Sequence, residues 1–247
     1  TGDAAPSAEA LNEGYRAVVA EIAPMRAQLE DSIASMETLQ SSLSDNDDKE
    51  AASQVVTAAR SRLNMLDAGV NIIEESLMAT EAFLKARSGW NAVINADAAI
   101  REATALAEEM SKENILASQA KGTEALAFLE EAQQDFSQAE AAYPGLDLAA
   151  FEAYVVKRME SQQAALAADD AYLSRNKEEL EAQNSRYNAL EEEAAALAQE
   201  LGEDDPEQIV ALRFYKEIEA DQGAYEAERL KAGNADAFLR EYLGTAS

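Results

Sequence analysis

Carboxylates are the reactive groups this chain has most of, 48 Asp and Glu against 20 Lys and Arg in 247 residues. They could ligate metals or act as acid–base pairs, so the residues around them decide. The chain contains no His and no Cys. Thiol nucleophiles, haem and zinc sites built from Cys or His are excluded, and a di-iron bundle lacks the His of its Glu-x-x-His motifs. Asp45, Asp47 and Lys49 fall at positions one, three and five of a calcium loop. Lys49 offers no oxygen there and no Gly follows, so the pattern fails as an EF-hand. Gly202-Glu203-Asp204-Asp205 reads as a helix stop followed by a helix start. Paired carboxylates for glycoside hydrolysis need a preformed concavity, which long helices joined by short turns disfavour. No Gly-rich phosphate loop, G-x-S-x-G elbow or S-x-x-K comes with a supporting strand. No catalytic residue, metal or cofactor is expected, and the chain reads as a non-enzyme.

Two features invite a binding role. At sevenfold spacing Gln162, Asp169, Asn176 and Gln183 place four polar side chains in one line along a helix. Such a row is either a groove or the wet part of a helix–helix seam, where polar positions lower stability but set register. Its neighbours Arg175, Lys177, Glu178, Glu179 and Arg186 are charged, which favours the seam and predicts an interface position with access to water. Trp90, the single tryptophan, falls at an expected helix junction. It is either an interface anchor or, as is commoner, the plug at the end of a bundle.

The elements that position these residues are helices. Ala, Glu, Leu and Gln dominate, β-branched and aromatic residues are sparse, and only 10 Gly and 4 Pro interrupt the chain. A first helix opens at Ser7 and carries the stripe Leu11, Tyr15, Val18, Ile22, Met25, Leu29, Ile33, Met36 and Leu43, kinked at Pro24. It stops at residues 42–48. A second helix runs from Asp47 or Asp48 through Val56, Leu63, Leu66, Val70, Ile73 and Leu77, with Gly69 expected at a close helix contact and Gly89 as its C-terminal turn. A third follows from Asn91 to a phase slip at residues 110–114. The pattern then continues to a firm stop at residues 143–147. Helix 147–201 reads as one unbroken element of roughly 80 Å. After Gly202 and Pro206, helices 206–232 and 235–243 complete the chain.

The expected fold is therefore all-α: an elongated antiparallel helical bundle with coiled-coil packing, arranged as one unit or as two stacked three-helix modules. The boundaries are a spacer 1–6, a first module 7–110 and a second module 111–247. The architecture looks similar to spectrin-type repeats, although no motif carries residues over from them.

Net charge is −28. Such a surface repels nucleic-acid phosphate and anionic lipid, and suits a basic protein patch; plain solvation of long helices is the simpler reading. No run approaches the ~20 apolar residues of a membrane span. The opening Thr1-Gly2-Asp3-Ala4-Ala5-Pro6 resembles the spacer after the lipid-modified cysteine of bacterial helical surface lipoproteins. That resemblance implies an extracytoplasmic scaffold, spacer or protein-interaction module at the cell surface, membrane-bound only through an N-terminal anchor. Its partner would be a protein or a cell-wall component. A Met trimmed before Thr1 would instead fit a cytosolic coiled-coil adaptor or assembly factor. Heptad seams close equally well within or between chains, so the oligomeric state stays open.

Overall fold

The computed structural model describes residues 8–245, with side chains from residue 12 onward. The spacer 1–6, the Ser7 cap and the Leu11 side chain lie outside the described residues. Among the described residues the fold is all-α, with six helices: α1 Ala8–Ser42, α2 Asn46–Glu108, α3 Lys112–Ala142, α4 Ala149–Leu173, α5 Lys177–Leu201 and α6 Pro206–Tyr242. The chain forms two compact units. The first contains residues up to Met78 together with Phe214 onward, and the second is Ala79–Arg213. The chain is thus not divided into 7–110 and 111–247, because the last helix returns to pack with the first two.

Four connections coincide with turn chemistry in the sequence. Asp45 Oδ1 accepts from the backbone amides of Asp47 and Asp48 at 2.8 and 3.1 Å, capping α2. Ser111 caps α3 by accepting from the Asn114 amide, so the phase slip at 110–114 is a true break. After α3, Gly145 takes φ 79°, and Leu148 N donates to Glu140 Oε1 at 2.6 Å. Gly202 takes φ 60° after α5, and Asp205 then caps α6 ahead of Pro206. Pro24 lies inside α1.

Elsewhere the helix boundaries differ from the expectation. Gly89 ends nothing, since α2 runs through it. A Cβ at Gly89 would stand 2.8 Å from Phe136 Cε1 and 3.2 Å from the Ala132 carbonyl, so its hydrogen lets α3 approach. Gly69, expected at a close contact, has nothing within 4 Å of the same construction. Gly233 also lies within a continuous helix, α6, held on by buried Ala232 and Ala235. The supposed single helix 147–201 is two helices. It turns at Ser174-Arg175-Asn176, with Arg175 at φ 61° and Asn176 accepting from the Glu179 amide. Left-handed backbone at a non-Gly residue costs on the order of 1 kcal/mol. Folding α5 back along α4 offsets that cost by pairing Lys157 with Glu193 at 2.8 Å and Arg158 with Glu191 at 2.6 Å.

In the second unit, α2 from Ala79 onward, α3, α4 and α5 run alternately up and down. Lys121–Glu102 and Lys85–Asp135 pairs set α3 antiparallel to α2. The core on α2 is Ala82, Ala86, Val93, Ala96 and Ile100, against Ala125, Leu129, Ala132 and Phe136 of α3. Alanine at these sites brings backbones together with little side-chain entropy lost. In the first unit, α1 and the later part of α6 both lie antiparallel to α2. Arg26 reaches Asp67 at 2.7 Å and Glu37 pairs with Arg60, while Asp221 meets Asn71 and Asp236 meets Arg62.

Candidate functional site

The polar row is divided by the turn after α4. Gln162 and Asp169 sit on the buried face of α4, 3% and 8% exposed. Gln162 and Leu166 pack over Gly122, where a Cβ would collide with both. Asp169 accepts from Ser118, yet burial, with neighbouring Asp170, raises its pKa above the ordinary carboxylate value. Asn176 is exposed and serves as the cap of α5. Gln183 stands on α5, half-buried and donating to Glu179 at 2.7 Å. The four are therefore not one line: the left-handed Arg175 ends the heptad register. Trp90 lies inside α2 rather than at a junction, edge-on to Phe151 with ring centroids 5.6 Å apart. Phe136 stands 5.9 Å from Phe151, so Trp90 belongs to an aromatic core cluster.

An enclosed ion-pair cluster was not singled out by the sequence. Arg158 donates through Nη1 to both carboxylate oxygens of Glu191 and through Nη2 to Asp97 Oδ1 at 2.7 Å. Ser161 also donates to Glu191. Burial opposes the Arg158 charge, but Glu191 and Asp97 outweigh it and hold the guanidinium above its ordinary pKa. The adjacent Tyr154 hydroxyl is raised by burial and then by Asp97. An arginine engaged by two carboxylates fastens α2, α4 and α5 together. Among the described residues no group of three or more Asp or Glu is placed to hold a metal ion.

Each unit also carries a concavity large enough for a ligand. In the second unit a cavity of about 480 Å³ opens at the α4–α5 turn, lined by Lys112, Tyr172, Leu173, Arg175, Asn176, Lys177 and Leu180 with Ala171. Lys112 is more than sixty residues away in sequence, so local pattern carries no signal of this gathering. In the first unit an open groove of about 540 Å³ lies among α1, α2 and α6. Met25 and Leu29 of α1, Met65 and Leu66 of α2 and Tyr225 of α6 form its apolar surface, with Gln28, Ser32 and Arg62 at its edges. Arg62 is already held by Asp236 at 2.6 Å.

The groove exists because α1 buries so little of its stripe. The spacing of Tyr15, Val18, Met25 and Leu29 was legible in the sequence, but Tyr15, Val18 and Met25 stay exposed, Met25 at 51%. Among the described side chains of α1, Ile33 is the apolar one that is buried. Comparison of the chain with protein-family models, with curated proteins and with solved structures finds no match.

Proposed function

We propose that this chain is a non-enzymatic protein-interaction module, and that the groove of the first unit receives an amphipathic helix with a basic polar face. The observation that supports this reading is the uncovered α1 stripe beside Met65, Leu66 and Tyr225. Methionine-rich apolar surfaces repack readily around helical ligands. Charge selects among such ligands. The helices of the first unit carry an excess of acid, and the Arg26 and Arg62 side chains beside the groove are neutralised by Asp67, Glu30 and Asp236. A lysine- or arginine-rich flank is attracted where an acidic one is repelled. Two or three apolar side chains entering the groove, less the cost of association, give an affinity on the order of micromolar to millimolar. A surface scaffold and a cytosolic adaptor would both use this groove. No helix among the described residues is long and apolar enough to cross a membrane.

The test uses methionine methyl NMR with a synthetic Leu/Lys amphipathic helix as probe. Met25 and Met65 methyls should shift, Met110 and Met159 should not, and Leu66→Asp should abolish the response. A Leu/Glu helix of the same pattern should leave all of them unmoved. Equal binding of both peptides, or no movement at Met25 and Met65, refutes the reading. Self-association through Met25 and Met65 in the absence of peptide would also refute it, by assigning the groove to a second copy.

A further inference from the structure

The cavity at the α4–α5 turn carries an assignment independent of the groove. In a chain where acids outnumber bases 48 to 20, its lining contains Lys112, Arg175 and Lys177 and no Asp or Glu. Five other cations of this unit are placed differently. Lys85, Arg87, Lys121, Lys157 and Arg158 each have a carboxylate within ion-pair distance. Among the described residues neither Lys112 nor Arg175 has one, and Lys177 meets only Glu181 of its own helix at 3.7 Å. Three cations lining a common cavity of about 480 Å³, two of them with no ion-pair partner among the described residues, raise the potential there against the field of the whole chain. Asn176 adds a side-chain amide whose oxygen is occupied by the Glu179 N–H, leaving its NH₂ group to donate.

The remaining walls are apolar and held in place. Tyr172 donates its hydroxyl to the Met110 carbonyl, which pins the ring against the α2–α3 connection. Leu180 of α5 lines the same space. A bare inorganic anion would use the cations and ignore these walls. A ligand with a charged end and an aromatic or apolar body uses both. We infer that the cavity binds a small organic phosphate monoester, its phosphate on Lys112, Arg175 and Lys177 and its body against Tyr172 and Leu180. A phosphate dianion suits several separate point cations, and each charge-assisted contact is stronger than a neutral hydrogen bond.

Phenyl phosphate is the probe, titrated into the full chain at low ionic strength and followed through the backbone amide resonances of residues 172–180. Saturable shifts confined to this turn and to Lys112 are expected, weakening as salt is added. Lys112→Gln should weaken binding about tenfold, as loss of one charged contact does. Arg175→Gly is the decisive variant, because it removes the charge while relieving the φ 61° backbone. It should keep or raise thermal stability and still weaken phenyl phosphate about tenfold. Unchanged affinity in Arg175→Gly, no saturable shift in the wild-type chain, or equal affinity for inorganic phosphate would each overturn the assignment.

Discussion

Replacing Gly89 with Ala tests the packing of the second unit where α2 crosses α3. The added Cβ would lie 2.8 and 2.9 Å from Cε1 and Cδ1 of Phe136 and 3.2 Å from the Ala132 carbonyl oxygen. Carbon atoms pack best at about 3.5–4.0 Å, so the ring or the α3 backbone must give way by roughly 0.7 Å or more. Phe136 has no exposed surface and leans on Phe151, so it has little room to turn. Overpacking of this kind costs about 1–3 kcal/mol, and the helix propensity of Ala over Gly returns about 1 kcal/mol. The expected net loss is about 1 kcal/mol. Gly69→Ala makes the same chemical change in the same helix with nothing within 4 Å, and should gain about 1 kcal/mol. Urea unfolding followed by circular dichroism and by Trp90 fluorescence reads both variants. In a Phe136→Leu background the Gly89→Ala penalty should shrink, the coupling expected of residues in contact. If Gly89→Ala is as stable as Gly69→Ala, or if the coupling with Phe136 is zero, the close α2–α3 approach is wrong.

Other substitutions address the charges and the caps. Burial raises the Asp169 pKa, so the folded state binds that proton more tightly than the unfolded one. Ionisation therefore costs stability at neutral pH, and the cost disappears as pH falls through the folded and then the unfolded value. Asp169→Asn should stabilise the chain at pH 7 and lose its advantage near about pH 4; an equal gain at both pH values would contradict this. Glu152 is raised in the same way by burial and by Glu140, so thermal stability at low ionic strength should rise on acidification from pH 7 towards about pH 5. Arg158→Leu strands Asp97 and Glu191. Because those carboxylates are about a third exposed, the loss should be about 2 kcal/mol by urea unfolding, and Asp97→Asn with Glu191→Gln should restore part of it. Asn176→Ala should cost about 1 kcal/mol as a lost N-cap, and Asn176→Asp almost nothing, measured the same way.

Several boundaries were legible because their causes are local. Asp45, Ser111, Gly145 and Asp205 do their work within three residues of themselves, and the sequence places turn-forming residues at each of these connections. The α4–α5 turn carried a local sign as well, Asn176 followed three residues later by Glu179, the pattern of a helix N-terminus. Continuous heptad spacing on both sides hid it. Glycine misled for the opposite reason. What Gly89 or Gly69 does depends on the atom standing opposite, and that atom belongs to another helix.

Composition and periodicity by themselves determined the all-α class, the absence of Cys and His chemistry, the acidic surface and the apolar stripe of α1. Each is a property of one residue or one helix face, summed along the chain. The tertiary structure alone decided which stripe stays uncovered, which arginine is enclosed and which cations meet. Met25 and Tyr225 meet in one groove across 200 residues of sequence, and Lys112 meets Arg175 and Lys177 across one cavity. Helical periodicity specifies which way a side chain faces from its own axis, but not which helix it will face.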